Sequence, residues 1–451
     1  MATLQEPNLQ AINLTRLSDT SSTISNSSVC LGERDDNIDS SIPKQLDSPA
    51  LHEHAEATVH LTSDMKTFIN TCIAFLGSGV LGLPYAFRQC GILTGLLTLM
   101  GVAGVTTYAM MLVVQCKYKL KQQGKHVTSY GEIGYFAMGS AGSVIVNTAL
   151  VISQMGFCIA YLIFIASNVN QFLNVSQQLV VLVCVPPLVG LSLLKHMREL
   201  AYVALFADFM CIFGLLVVLN IDLTYMEYDH DDIEIIGVVS AIPFFFGVAN
   251  YCFEGVGMVL SLENSMRNKR NFTPILVSTV VIISSLYATF GICGYLAFGN
   301  ETNAVITLNF DGGGGLAILV KVSLCLGLFF TYPVMLFPVF EVLQPMMVRG
   351  QRLESPQPSQ TKGIVLRVGI VLVTAVIAAG IPDFGWFISF VGSTCCSLLA
   401  FILPAFFHLC LFRDEPPTCT NRLRQFFLCA MMVLGFVMLC AGGFEVIDKV
   451  L

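Results

Sequence analysis

Charge is scarce in this sequence. Asp, Glu, Lys and Arg make up 12% of its 451 residues against 55% hydrophobic residues, where a soluble domain carries about a quarter charged residues. With a mean hydropathy of +0.74, the composition excludes a soluble enzyme. The cations stand singly between apolar runs and the formal net charge is −7, so no basic face for nucleic acid emerges. Metal-ligand spacing is missing too. Of the sixteen cysteines, Cys72, Cys116, Cys158, Cys211, Cys252, Cys325, Cys429 and Cys440 fall in or at the ends of apolar runs, where cysteine acts as a small hydrophobe. The adjacent Cys395 and Cys396 read as packing residues, and no Cys/His cluster has zinc spacing, so neither a metal nor a cofactor is expected. No His or Cys pairs with a carboxylate on one buried face, which argues against an intramembrane enzyme. A channel would need a ring of charges or a carbonyl filter motif, and neither is present.

What is there is apolar length. Stretches near the ~20 residues that cross a bilayer recur from Phe68 almost to the C-terminus, as in a polytopic all-α membrane protein. Eleven helices are expected, over about 66–88, 91–116, 143–170, 178–195, 200–221, 236–261, 273–298, 314–345, 363–381, 384–411 and 424–446. Residues 1–62 differ in kind. Rich in Ser, Thr, Asn and Asp, they hold too little apolar surface to offset the entropy of ordering, and a disordered tail is expected. They lack the basic start and apolar core of a secretory signal peptide.

Lys and Arg beside membrane helices stay cytosolic. One alternating set of loops holds Lys117, Lys119, Lys121 and Lys125; Lys195 and Arg198; Arg267, Lys269 and Arg270; Arg349, Arg352, Lys362 and Arg367; and Arg413, Arg422 and Arg424. The opposite set holds little besides Arg88 and Lys449. The N-terminus, and with it the tail, is therefore expected in the cytosol. The acidic stretch DLTYMEYDHDDIEI and two glycosylation sequons, Asn174-Val-Ser and Asn300-Glu-Thr, then fall on the non-cytosolic side.

Two of the runs look broken. The first span contains AFLGSGVLGLPYAF, three glycines and a proline within eight positions, although glycine costs roughly 1 kcal/mol and proline about 3 inside a helix. The sixth, AIPFFFGVANYCFEGVGMVLSLENSM, carries Pro243, Gly247, Gly255 and Gly257. These two spans lead two five-helix halves, about 66–221 and 236–411, with 424–446 as an extra helix. Breaks at corresponding positions of two halves point to a transporter binding site. Unwinding frees backbone groups, which persist in a membrane only where they line a cavity or bind something. The outer half of the first span would begin after Gly77-Ser78-Gly79, aiming positive amides at the midplane and suiting a carboxylate. The outer half of the sixth is expected to end near Gly247, presenting carbonyls that suit an ammonium. A carboxylate beside an ammonium describes an amino acid.

The segments GSGVLGLPYAF, SQMGFCIAYLIFIASN, CFEGVGMVLSLENSMRNKRNF and VGSTCCSLLAFILPAFFHL resemble those of the amino acid/auxin permease family. The likeness is greatest to its vacuolar amino-acid exporters and the related proton-coupled amino acid transporters, and runs from about Phe68 to His408. It implies eleven spans, the leucine-transporter fold of two inverted five-helix repeats plus one helix, and secondary active transport of amino acids, usually driven by protons, across a vacuolar or other acidic-organelle membrane, with the plasma membrane second. Two positions depart from the pattern: Ser261 where members often have Pro, and Asn70 where the animal proton-coupled branch tends to have His.

Within that frame, Gly77, Ser78, Gly79, Val80, Cys252, Phe253, Glu254 and Tyr161 are the candidate substrate-binding residues. Gln154 shares a helical face with Tyr161. Intramembrane ionisable residues are functional candidates by default, which nominates Asp208 and Glu254 for protons, while Glu263, Glu341 and Lys321 are near enough to helix ends to snorkel. With no other charged group expected at the midplane, the substrate should be a neutral amino acid. The alternative is a non-transporting amino-acid sensor using the same pocket. The lipid bilayer is the surrounding partner, and oligomeric state is not legible.

Overall fold

The computed structural model describes residues 62–194, 197–226, 233–310, 314–349, 360–414 and 418–450. The expected tail over 1–62 lies outside them except for Thr62. Helices dominate. The first span is split into α1 (Asp64–Phe75), a 3₁₀ turn (Ser78–Gly82) and α2 (Leu83–Cys90). α3 (Ile92–Gln122), α4 (Tyr130–Met138), α5 (Ser140–Leu173), α6 (Gln177–Ser192) and α7 (Met197–Tyr225) follow. The sixth span is α8 (Ile242–Cys252) and α9 (Val259–Ser265). Beyond it lie α10 (Phe272–Phe298), α11 (Gly315–Arg349), α12 (Gln360–Gly380), α13 (Phe384–Val391), α14 (Leu403–Leu411) and α15 (Cys419–Val450).

Among the described residues eight helices are long and apolar enough to cross a membrane, and nine counting the first span, whose halves meet at 44°. Gln177–Ser192 and Val239–Cys252 are shorter apolar helices. The chain is thus an all-helical polytopic membrane protein.

Prolines mark where helices restart. Pro84, Pro243 and Pro404 fall in the first turns of α2, α8 and α14, where the missing N–H leaves no bond unmade. Gly91 joins α2 to α3 at φ 76°, and a Cβ there would stand 3.1 Å from the Glu234 carbonyl. This strained, crowded turn admits glycine alone.

Three expectations from sequence are corrected, and the tenth span, found where expected, gains detail. The loop after the second span contains the helix α4, started by a capping box between Ser129 and Glu132. The break in the sixth span lies between Cys252 and Val259 rather than near Gly247. Gly247 sits inside α8, where a Cβ would collide with the Ser389 carbonyl of α13; it is a close-packing glycine. The tenth span is continuous in direction but carries two π turns, Gly392–Cys396 and Leu398–Ile402, the first packed on α8. Glu263 and Lys321 do not snorkel. Glu263 is fully buried and paired with Lys117, while Lys321 donates to Gln171 and to the Phe310 carbonyl at 2.7 and 3.0 Å. Glu341 is exposed, as expected.

The two broken spans are tied together at one end. Thr62 pairs with the segment after α9 through Thr62 N to Ser265 O at 2.8 Å and Arg267 N to Thr62 O at 3.1 Å. Glu263 also accepts from Tyr118 at 2.6 Å. This is the end expected to face the cytosol.

Candidate functional site

Both breaks open into one cavity. α1 ends at Phe75, with Leu76 capping it through its amide to the Ile73 carbonyl at 3.0 Å, and the 3₁₀ turn starts at Ser78, so the amides that begin the next helix have no intrahelical acceptor. Gly77 is extended, with φ −121° and ψ −171°, so backbone strain does not demand a glycine. Packing does not demand one either: a Cβ at Gly77 has room, its nearest neighbour the Tyr161 hydroxyl at 4.0 Å, and what a larger side chain there would take up is cavity space. Gly79 is different. A Cβ there would meet Cys252 Sγ at 2.7 Å and the Tyr251 ring at 2.8 Å, so the halves of the two broken spans touch backbone to side chain at this point.

The cavity, of about 40 Å³, is lined by Gly77, Ser78 and Gly79 from the first break, Tyr251, Cys252, Glu254 and Met258 from the second, Gln154, Phe157 and Tyr161 from α5, and Met335 from α11. The Ser78 hydroxyl lies 3.1 Å from that of Tyr251, whose ring packs edge-on against Phe157 with centroids 4.6 Å apart. Glu254 is held by the backbone amides of Val256 and Gly257. Its Oε1 has no hydrogen-bond partner among the described residues, although the residue is buried. Tyr287 of α10 donates its hydroxyl to the Phe75 carbonyl and lies 3.4 Å from that of Cys252, satisfying carbonyls at the ends of both interrupted helices.

Six of the eight expected binding residues therefore meet here: Gly77, Ser78, Gly79, Cys252, Glu254 and Tyr161. Val80 is buried beside them but does not line the space. Phe253 packs between Phe75 and Tyr287, with centroids at 6.5 and 5.3 Å, and belongs to the core. Asp208 is half-buried on α7, outside the lining but within electrostatic range of Tyr161. Sequence reading missed Tyr251, Phe157, Met258 and Met335. Tyr251 sits beside the expected Cys252, and its contact with Ser78 crosses 173 residues; no local pattern announces it.

A cleft of about 600 Å³ adjoins the cavity, sharing Gln154 and Met258 with it and reaching Ser129, Glu132 and Glu341. The latter two are exposed, so the cleft opens at the end that carries the Lys117–Glu263 pair. On the opposite side Phe164 packs against Phe384 with centroids 6.0 Å apart. There a buried turn over Ile306–Asn309 is fastened to α5 by Thr307 and Asn168 at 2.7 Å. Among the described residues, the site is open on one side, that of the cleft.

Buried charges outside the cavity are more numerous than the sequence suggested. Lys117, Lys321 and Arg367 are all buried, but the first pairs with Glu263, the second is bonded as above, and Arg367 donates to the Ser192 carbonyl. Asp222, grouped from sequence with the acidic loop, instead lies buried in α7; the rest of that loop over 227–232 lies outside the described residues.

Comparison with known proteins agrees with this fold. Mhp1, a nucleobase-cation-symport-1 family transporter solved in a closed conformation with bromovinylhydantoin bound, shares the fold at a TM-score of 0.51 and 13% identity, over 86% of this chain and 91% of that one. The chain is 36% identical to amino acid transporter AVT3C of Arabidopsis thaliana over 432 residues, 90% of this chain and 95% of the relative. It is 37% identical to AVT3B of the same plant over 79% of this chain and 87% of the relative. The profile of the family described as transmembrane amino acid transporter protein matches residues 60–447. The chain thus belongs to the transmembrane amino acid transporter family, the amino acid/auxin permeases, whose named relatives are transporters and not enzymes.

Proposed function

We propose that this protein is a secondary transporter of neutral amino acids, coupled to protons, that binds its substrate where the first and sixth spans are broken. The observation that carries the reading is the unpartnered Oε1 of Glu254 in the same cavity as the first amides after Gly77 and the hydroxyls of Ser78 and Tyr251. The amides and hydroxyls suit the substrate carboxylate. Glu254 and the carbonyls ending α8 suit its ammonium group. Phe157, Met258 and Met335 offer apolar surface, the adjoining cleft of about 600 Å³ supplies the room for a side chain that the 40 Å³ cavity lacks, and no cation lines the cavity to hold an acidic one.

The nine long or bent spans and the two shorter apolar helices make eleven, read as two inverted repeats of five plus one helix. The cationic loops orient the N-terminus to the cytosol. The open cleft then faces the cytosol, and the structure represents the inward-facing state of an alternating-access cycle. Asp208 is the proton carrier in this reading, titrating beside Tyr161 of the cavity wall, with Glu254 as its alternative. The resemblance to vacuolar exporters favours an acidic organelle.

The test is uptake of labelled amino acid into vesicles containing only this protein. Alanine, proline, glycine or serine should compete for uptake. Competition by lysine or glutamate alone, or no flux at all, overturns the reading.

A further inference from the structure

One carboxyl group in the membrane part is left over by this mechanism. Asp222, near the end of α7 opposite the open cleft, is fully buried, and both of its oxygens lack a hydrogen-bond partner among the described residues. It sits at the junction of three helices. A Cβ on Gly294 of α10 would stand 3.3 Å from Asp222 Oδ2 and 2.7 Å from Pro84 Cγ of α2, so the carboxyl faces the seam along which the second half of the broken first span packs on α10.

Among the described residues, the surrounding groups do not neutralise a charge here. From α10, Cys293 lies within electrostatic range, and the Tyr295 hydroxyl accepts from the Glu234 amide at 3.0 Å. From α2, Arg88 gives its guanidinium to the Thr302 carbonyl at 2.8 Å and stands over the Tyr85 ring. From α11, which packs along α7, Lys321 is engaged with Gln171 and Phe310. An ionised carboxylate that neither a cation nor a hydrogen bond compensates is costly inside a membrane. The sealed seam accepts the neutral acid.

The geometry points to Asp222 as a proton-binding site on the non-cytosolic side, loaded when the seam between α2 and α10 is open and enclosed when it shuts. The step balances simply: a hydronium ion from the non-cytosolic water gives its proton to a carboxylate oxygen and becomes water, and reopening reverses it. A ligand that binds one conformation better shifts the population toward it. Acid on the non-cytosolic side therefore favours the arrangement seen here, closed on that side and open on the other. This inference rests on the orientation and transport reading above, and assigns to Asp222 a role distinct from that of Asp208: Asp222 senses one compartment, whereas Asp208 moves its proton across.

The experiment uses the full chain in vesicles, with amino-acid exchange measured at fixed cytosolic pH while the non-cytosolic pH is varied, alongside the infrared carbonyl band of protonated carboxyl groups in the purified protein. Asp222→Asn reproduces the shape of the neutral acid. It is expected to insert normally, to weaken the dependence of exchange on non-cytosolic pH and to lose a carboxylic-acid band. An Asp222→Asn protein with the wild-type pH profile or an unchanged infrared band overturns the assignment. So does one that cannot fold, since a site occupied by the protonated acid accepts its amide isostere. If the wild-type protein exchanges no amino acid, the transport reading fails, and the infrared comparison still decides Asp222.

Discussion

The hydroxyl of Ser78, in the first turn after the break in the first span, lies 3.1 Å from the hydroxyl of Tyr251, in the last turn before the break in the sixth. One hydrogen bond thus ties together the two places where backbone is freed, and both groups line the cavity. Removing it while keeping the ring that packs on Phe157 isolates its contribution. Tyr251→Phe should leave expression and folding unchanged and raise the KM for amino acid about tenfold, the equivalent of a single hydrogen bond of about 1.4 kcal/mol. An unchanged KM would show that the pair does not touch substrate.

The two glycines of the first break should fail differently. Gly77→Val projects into the cavity toward Tyr161, so the protein should insert and fold yet transport nothing. Gly79→Ala must displace Cys252 or Tyr251 and should lower thermal stability as well as flux. Comparing fluorescence-detected melting with uptake separates the two, and normal transport by the Gly77 variant would mean the pocket is misplaced.

Lys117→Met strands Glu263, which is fully buried. Breaking a buried pair from one side costs about 3–5 kcal/mol, far more than removing both partners. The single variant should melt well below the wild type, and the Lys117→Met/Glu263→Gln double variant should recover much of the loss. A single variant that melts with the wild type would mean that Tyr118 and Lys269, at 2.6 and 3.8 Å from Glu263, hold it without Lys117.

Asp208→Asn keeps the shape of the side chain and removes its titration. Accumulation driven by a pH gradient should disappear, while exchange of amino acid without a gradient survives. If the variant still accumulates substrate with the wild-type pH dependence, the proton passes through Glu254.

The membrane class, most of the helix positions and the first break were legible in the sequence because each depends on local chemistry. Twelve per cent charge cannot clothe a soluble surface, apolar runs of bilayer length have no other home, and GSGVLGLP cannot hold a regular helix. The same local logic misjudged Gly247 and Asp222. A glycine in an apolar run reads alike whether it ends a helix or lets two helices touch, and only the Ser389 carbonyl from far along the chain shows which. Asp222 opens an acidic stretch and reads as part of a loop, yet α7 continues to Tyr225 and carries it inward. The composition of the cavity was likewise divided: Ser78 and Glu254 were visible as polar residues at breaks, whereas Tyr251, Phe157 and Met335 look like ordinary core until α5, α8 and α11 converge. Sequence determined where the first span fails, because that is a property of a few neighbouring residues. Tertiary packing decided which freed groups face one another across a shared space and which buried carboxyl has no partner among the described residues, because those are distances between residues that the chain keeps far apart.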